Sequence, residues 1–338
     1  MGCAMNYVFC VNPEESRLGP KMIVSEEDFS RIDGAVKVVN MICRVEELFH
    51  MLMVALSNFN NAVFARADQN RFDVDSDLEN DFFRMSINGL AATFFTLLDT
   101  YQEYVSPLKS QSPFAIDRKK FSDGCFDTCK ALRNYIQHAG NFSVTIRGTG
   151  RLCALGESVS SVRVYANLKA ALLDKDKLLK WTVDVLESKL REGPEIDLFE
   201  AINNVVDVVT GIHVEVRKSE LYADRYSTES DFLSALEDRL KGFVWYYHDT
   251  ESGVKIASKP YLYNRQISLI KYLNHRYPCN KTGRGHYITT VPESSMTRMA
   301  EADRDIQEFR NKKGVLEICG HKYVFEKYQK PFEYKEGV

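Results

Sequence analysis

The sequence lacks paired cysteines. None of its eight (Cys3, Cys10, Cys43, Cys125, Cys129, Cys153, Cys279 and Cys319) stands in a C-x-x-C spacing, which removes the commonest zinc and dithiol frameworks. It also lacks any apolar run approaching the roughly 20 residues of a membrane span, so no membrane partner is expected. No glycine-rich G-x-x-x-x-G-K-[S/T] loop is present, nor any other cofactor motif, and no cofactor is expected. Internal repeats and low-complexity tracts are missing too. No charged-then-apolar signal opens the chain. The opening "MGC" resembles an acylation start, but position 6, where such a signal wants Ser or Thr, holds Asn6. With Cys43, Cys125 and Cys129 set among apolar helical residues, the expectation is reduced, buried thiols in the cytoplasm.

What the sequence does have is ample material for a core. Its 338 residues are 44% hydrophobic and 27% charged, enough to fold without disulfides or metals. The net charge of −3 hides an asymmetry. Residues 1–100 carry 15 acidic and 8 basic side chains, a net of −7. Residues 255–330 carry 15 basic and 7 acidic ones, a net of +8. A chain that is basic at one end can bind a polyanion there, because a phosphate backbone feels the local field.

The pattern is mainly α. Residues 1–24 form an extension with two short strands, "NYVFCV" and "KMIV". Ser25 then offers an N-cap, and apolar residues recur at helical spacing from Ile32 to Val63. This predicts one long helix, or two in near-continuation, ending near "RADQN". The acidic stretch from Asp73 to Asp81 opens a second helix, where negative charge suits the helix N-terminus. A third starts near Ser122 and stops at Gly140. A β-hairpin is expected over about 142–168, with "GRLCALGES" as its loop. Helical patterning returns in "DKLLKWTVDVLESKLREG", again from Asp197 to about Glu220, and in "STESDFLSALEDRLKG", which Ser227 should cap. After Gly242 the texture becomes short, aromatic and β-branched, with one helix around Met296 to Phe309. The expected organisation is a helical domain over 25–230 and a smaller α+β module over 242–338.

One stretch carries more chemistry than scaffold requires: "CKALRNYIQHAGNF", Cys129 to Phe142. At about 100° per residue, with Arg133 at zero, Gln137 falls near 40°, Asn134 near 100° and His138 near 140°. Leu132, Ile136 and Cys129 gather on the other side. Asn134 lies one turn below His138, where an amide can orient the imidazole. Such a set suits RNA cleavage by the substrate's own 2′-hydroxyl. A histidine moves protons near neutral pH, and an arginine fork meets the charge growing on phosphate. One helix supplies one histidine, yet the reaction needs both a base and an acid. Two copies packed about a two-fold axis supply both. The plain alternative is a histidine placed in a last turn for its helix dipole and an arginine on a wet face.

"LRNYIQH" resembles the signature of the HEPN superfamily (higher eukaryotes and prokaryotes nucleotide-binding): Arg-polar-x-x-x-His near a helix end, here on Arg133, Asn134 and His138. The order of elements over residues 25–225 is similar as well; the C-terminal module is outside the resemblance. The resemblance implies a helical bundle, a homodimer with motif helices facing each other, and metal-independent endoribonuclease activity. Toxin or antiviral defence, with an antitoxin or sensor partner, is the implied setting. Some relatives have a tyrosine just after the histidine that is modified as a control. Here Ala139, Gly140 and Asn141 follow, so that control is not expected. The other class of function is a catalytically silent helical scaffold that binds nucleotide, RNA or a partner protein.

Further residues are weaker candidates. Asn88 and Asp99, on the preceding helix, can support the motif from behind, although Asp99 reads more readily as a solvated face residue. Glu47 on the first helix, next to Glu46, can point at the same cleft. His213 and His50 read as satisfied core histidines. In the C-terminal module, Lys281, Arg284, His286 and Tyr287 combine charge, ring and neighbouring glycines in a way that suits RNA. His275, Cys279 and His286 number too few for a zinc site.

Overall fold

The computed structural model describes residues 6–10, 21–24, 26–69, 77–122, 124–152, 158–240, 245–250, 253–255, 263–277, 314–318 and 321–325. The described residues are mainly helical, as the patterning predicts. The apolar run from Ile32 to Val63 is one continuous helix, α1 (Glu26–Gln69). Its buried residues recur two in every three along most of its length, so only a narrow stripe faces solvent. Its expected cap, Ser25, lies outside the described residues. Next come α2 (Asp77–Val105), a 3-10 turn at Arg118–Phe121 and α3 (Gly124–His138).

By their internal contacts the residues fall into two compact units. One comprises residues 1–50, 101–118 and 211–281. It contains a four-stranded antiparallel sheet in the order β2-β1-β6-β7, from β1 (Asn6–Cys10), β2 (Lys21–Val24), β6 (Trp245–Thr250) and β7 (Gly253–Lys255). The N-terminal extension and the start of the C-terminal module thus share a sheet, Val8 lying opposite Tyr247. Its helical core buries Val39, Ile42, Phe49, Tyr101, Val216 and Tyr277. The helix α8 (Tyr263–Arg276) also lies here.

The other unit comprises residues 51–100, 119–210 and 282–338. The expected hairpin is present as β3 (Val144–Leu152) and β4 (Ser158–Asn167), in register from Val144 opposite Ala166 to Leu152 opposite Ser158. Pairing consumes much of the stretch expected as loop. A third strand, β5 (Glu195–Asp197), pairs with β4 and was not foreseen. Between them lie α4 (Leu168–Ala171), a 3-10 turn at Leu172–Lys177 and α5 (Lys180–Glu192). Leu178 and Leu179 are extended rather than helical, so the predicted helix starts later than its pattern suggests. Asp197 accepts from the Glu200 backbone N–H at 3.1 Å and opens α6 (Leu198–Lys218). The hairpin β8 (Gly314–Ile318) with β9 (His321–Phe325) is also in this unit.

The helix α7 (Tyr226–Leu240) corrects one expectation. Ser227 does not begin it. A π-helical turn, Leu221–Arg225, carries hydrogen bonding on from Leu221 O to Tyr226 N–H, so the serine sits inside a helix that has already started. The predicted helix near Met296 lies outside the described residues.

Candidate functional site

The motif helix α3 owes its orientation to one apolar stripe. Phe126, Cys129, Ala131, Leu132 and Tyr135 are buried, and α3 packs against α5. Tyr135 stacks on Phe142 with ring centroids 5.5 Å apart, which folds the chain after the helix back onto it. Gly140 ends the helix at φ +105°, a conformation that costs a side-chain-bearing residue its Cβ clearance. Its N–H and that of Ala139 both donate to Tyr135 O.

Each residue singled out in the sequence has a definite place. Arg133 lies at the edge of the stripe rather than on the open face. Its Nη1 is 3.0 Å from Asp99 Oδ2, while its Nε is buried without a hydrogen-bond partner. Asp99 is therefore the ion partner of Arg133 on α2. Both side chains keep a little under a third of their exposure, so the pair can still be reached from solvent. Asn134 accepts a hydrogen bond from the buried Thr182 on α5 at 2.8 Å, which fixes the side chain from its carbonyl end. His138, the last residue of α3, is exposed.

Asn88 is buried and bonds in three directions. Its carbonyl oxygen accepts from Phe142 N–H at 2.9 Å; its amide donates to Phe142 O at 3.4 Å and to Arg84 O at 3.0 Å. It clasps the segment that leaves α3 to α2 and does so entirely through backbone groups. Glu47 belongs to the other unit, where its carboxylate meets Cys43 and Arg44 of its own helix. Lys281, Arg284, His286 and Tyr287 lie outside the described residues, as does Cys279. Among the described residues no three His, Cys, Asp or Glu side chains group as a metal ion would need.

A second polar cluster, in the unit of residues 1–50, 101–118 and 211–281, was missed. Glu46 is fully buried on α1. Arg217 of α6 grips it with both prongs, Nε to Oε1 at 2.8 Å and Nη2 to Oε2 at 2.6 Å, and Tyr222 donates its hydroxyl at 2.7 Å. His213 stacks flat on Phe49 at 3.9 Å between centroids, with Nδ1 2.9 Å from the Tyr101 hydroxyl. Its Nε2 sits 3.4 Å from Glu46 without hydrogen-bond alignment. Burial alone would raise the Glu46 carboxyl; His213 and the Arg217 fork outweigh it and hold the group down at about 2. Burial drives His213 below its ordinary value against the pull of Glu46, and the permanent cation beside Glu46 is Arg217. His213 lies in the core, as its apolar flanks suggest, but its Nε2 is left without a hydrogen-bond partner. His50 is half-buried, 2.8 Å from the Tyr277 hydroxyl; burial, then Arg276, lowers it as well.

Comparison with family models, with curated proteins and with solved structures found no match to this chain.

Proposed function

We propose that this chain is a metal-independent endoribonuclease of HEPN type that cuts RNA by 2′-hydroxyl attack. The observation that carries the reading is on α3. A solvent-reachable arginine at the edge of the buried stripe, steadied by Asp99, shares the helix with an exposed histidine at its end. In the reaction one His138 takes the proton of the 2′-hydroxyl, whose oxygen attacks the adjacent phosphorus. The bond to the 5′-oxygen breaks, and a second His138 supplies that oxygen with its proton. Arg133 meets the charge that grows on the phosphate oxygens. Asn134, anchored by Thr182, holds its amide one turn below the imidazole. A cyclic phosphate and a 5′-hydroxyl are the products.

The second histidine comes from a second copy, so the enzyme is a homodimer. Leu179 and Trp181, where α5 begins beside α3, leave exposed apolar surface that such a copy can cover. The basic segment 255–330 supplies attraction for RNA. An uncontrolled ribonuclease harms its own cell, which fits a toxin or defence role with an antitoxin or sensor partner.

One observation favours the other reading, a catalytically silent scaffold: Arg133 and Asn134 already have partners within the chain. The test is incubation of the purified protein with total RNA in EDTA, beside Arg133→Ala and His138→Ala. The enzyme reading expects cyclic-phosphate ends, with His138→Ala slower by about 10²–10⁴-fold. RNA left intact by the parent protein, or cut equally by all three, sinks it in favour of the scaffold.

A further inference from the structure

A cavity of about 660 Å³ opens in the unit of residues 1–50, 101–118 and 211–281, and Arg217 and Tyr222, the two residues that hold Glu46, are part of its wall. The wall is shaped by a break in helical register. The Ser219 N–H and hydroxyl both donate to Val216 O, at 3.1 and 2.6 Å, and α6 ends at Lys218. The π-helical turn at Leu221–Arg225 follows. Such turns insert an extra residue per turn and commonly mark functional sites. This one brings Tyr222 and Tyr226 into edge-to-face contact, centroids 5.6 Å apart, on the cavity wall.

The lining carries more cationic than anionic side chains. Arg217 is fully engaged: two nitrogens on Glu46, the third on Tyr277 O at 2.5 Å. Lys218 and Lys271 are exposed, and neither has an ion pair or hydrogen bond among the described residues. The Tyr226 hydroxyl is buried with no partner. Against these stands one lining carboxylate, Asp231. With Arg217 neutralised by Glu46, two lysines face one aspartate, leaving a net positive charge. Two ammonium groups and a phenol ask for an anion with three or more acceptor oxygens, which phosphate has and a carboxylate does not. The volume exceeds what a bare phosphate fills and lies in the range of small-molecule sites. Ser230 and Ser234 of α7 donate to the carbonyls of Ser227 and Ser230, so their oxygens remain to accept from ligand hydroxyls.

We infer that this cavity binds a small phosphorylated metabolite. Its phosphate is held by Lys218, Lys271 and the Tyr226 hydroxyl, and its hydroxyl-bearing part lies along the serine face of α7. The site is independent of the Arg133–His138 reading.

The experiment is calorimetric titration of the full chain at low salt with adenosine monophosphate, glycerol phosphate, pyrophosphate and uncharged adenosine. At least one organic phosphate should bind in the micromolar range, with adenosine giving no heat. Lys218→Ala with Lys271→Ala should weaken that binding tenfold or more, and Tyr226→Phe about threefold. Lys169→Ala, an exposed lysine in the other unit, should leave it unchanged. Refusal of all three phosphates, or binding that persists undiminished in the double variant, overturns the site. Pyrophosphate bound while both organic phosphates are refused overturns the metabolite.

Discussion

Replacing Glu46 by Gln removes one charge from the interior and leaves Arg217 facing a neutral amide. Two routes give the cost. The carboxyl is held at about 2 against an ordinary 4.5, and that gap corresponds to about 3 kcal/mol of folding stability. Stranding one partner of a buried pair costs about 3–5 kcal/mol, which agrees. The pH dependence has a definite sign. The folded-state value of Glu46 lies below the unfolded one, so its contribution is complete above about pH 4.5 and drains away as the pH falls towards 2. His213 is also depressed. Its folded form resists a proton that the unfolded chain accepts, so its contribution is present above about pH 6.5 and lost below it. Both chains have a histidine loss, deeper in the variant because Glu46 partly offsets it in the parent; only the parent has the Glu46 loss. Urea unfolding followed by circular dichroism should therefore put Glu46→Gln about 3–5 kcal/mol below the parent at pH 7. The gap should narrow as the pH drops from 5 to 3. A variant within about 1 kcal/mol of the parent at pH 7, or a gap that stays constant on acidification, refutes the reasoning. Replacing Glu46 by Leu and Arg217 by Met together should cost less than the two single changes summed, since neither charge is then stranded.

Three further outcomes are expected. Asn88→Ala leaves the Phe142 N–H without its 2.9 Å acceptor; the cost is about 1–3 kcal/mol, and amide exchange at Phe142 should accelerate. Gly140→Ala forces a Cβ into φ +105°, costing about 1–2 kcal/mol and lowering the thermal midpoint although nothing lies within 4 Å to clash. Burial and then Glu47 push the Cys43 thiol up to about 12, and burial, then Cys125, raises Cys129. Peptide mass spectrometry after iodoacetamide treatment at pH 8 should find both unmodified in the folded protein and modified in urea.

The helices were legible because their signal is local. The two-in-three burial of α1 follows directly from apolar spacing between Ile32 and Val63, and Gly140 marks the end of α3 by backbone chemistry that needs no neighbours. The third strand was not legible, for the opposite reason. "EID" at 195–197 is too short to carry alternation, and only the ladder with Tyr165, Ala166 and Asn167 makes it a strand. Ser227 misled because a serine before helical residues signals a start only when the preceding chain is not already helical; the π turn supplies that helix.

The motif helix and the Glu46 cluster differ in the same way. Arg133 and His138 drew notice by their spacing; periodicity put both opposite Cys129 and Leu132, whereas Arg133 lies at the edge of that stripe. It could not show that Asp99 would take one prong of Arg133 or that Thr182 would take the Asn134 carbonyl, since both partners come from other helices. Glu46 and Arg217 stand 171 residues apart, and no spacing rule links them. Yet each half left a trace. Glu46 follows Ile42 by four residues and precedes Phe49 by three; His213 has the same relation to Val209 and Val216. Each polar group is in phase with a buried stripe, where an unsatisfied charge is too costly to keep. A charged residue on the apolar phase of a long helix therefore implies a partner of opposite charge on another element. Here that implication leads from Glu46 to Arg217 and Tyr222, the same two residues that wall the cavity.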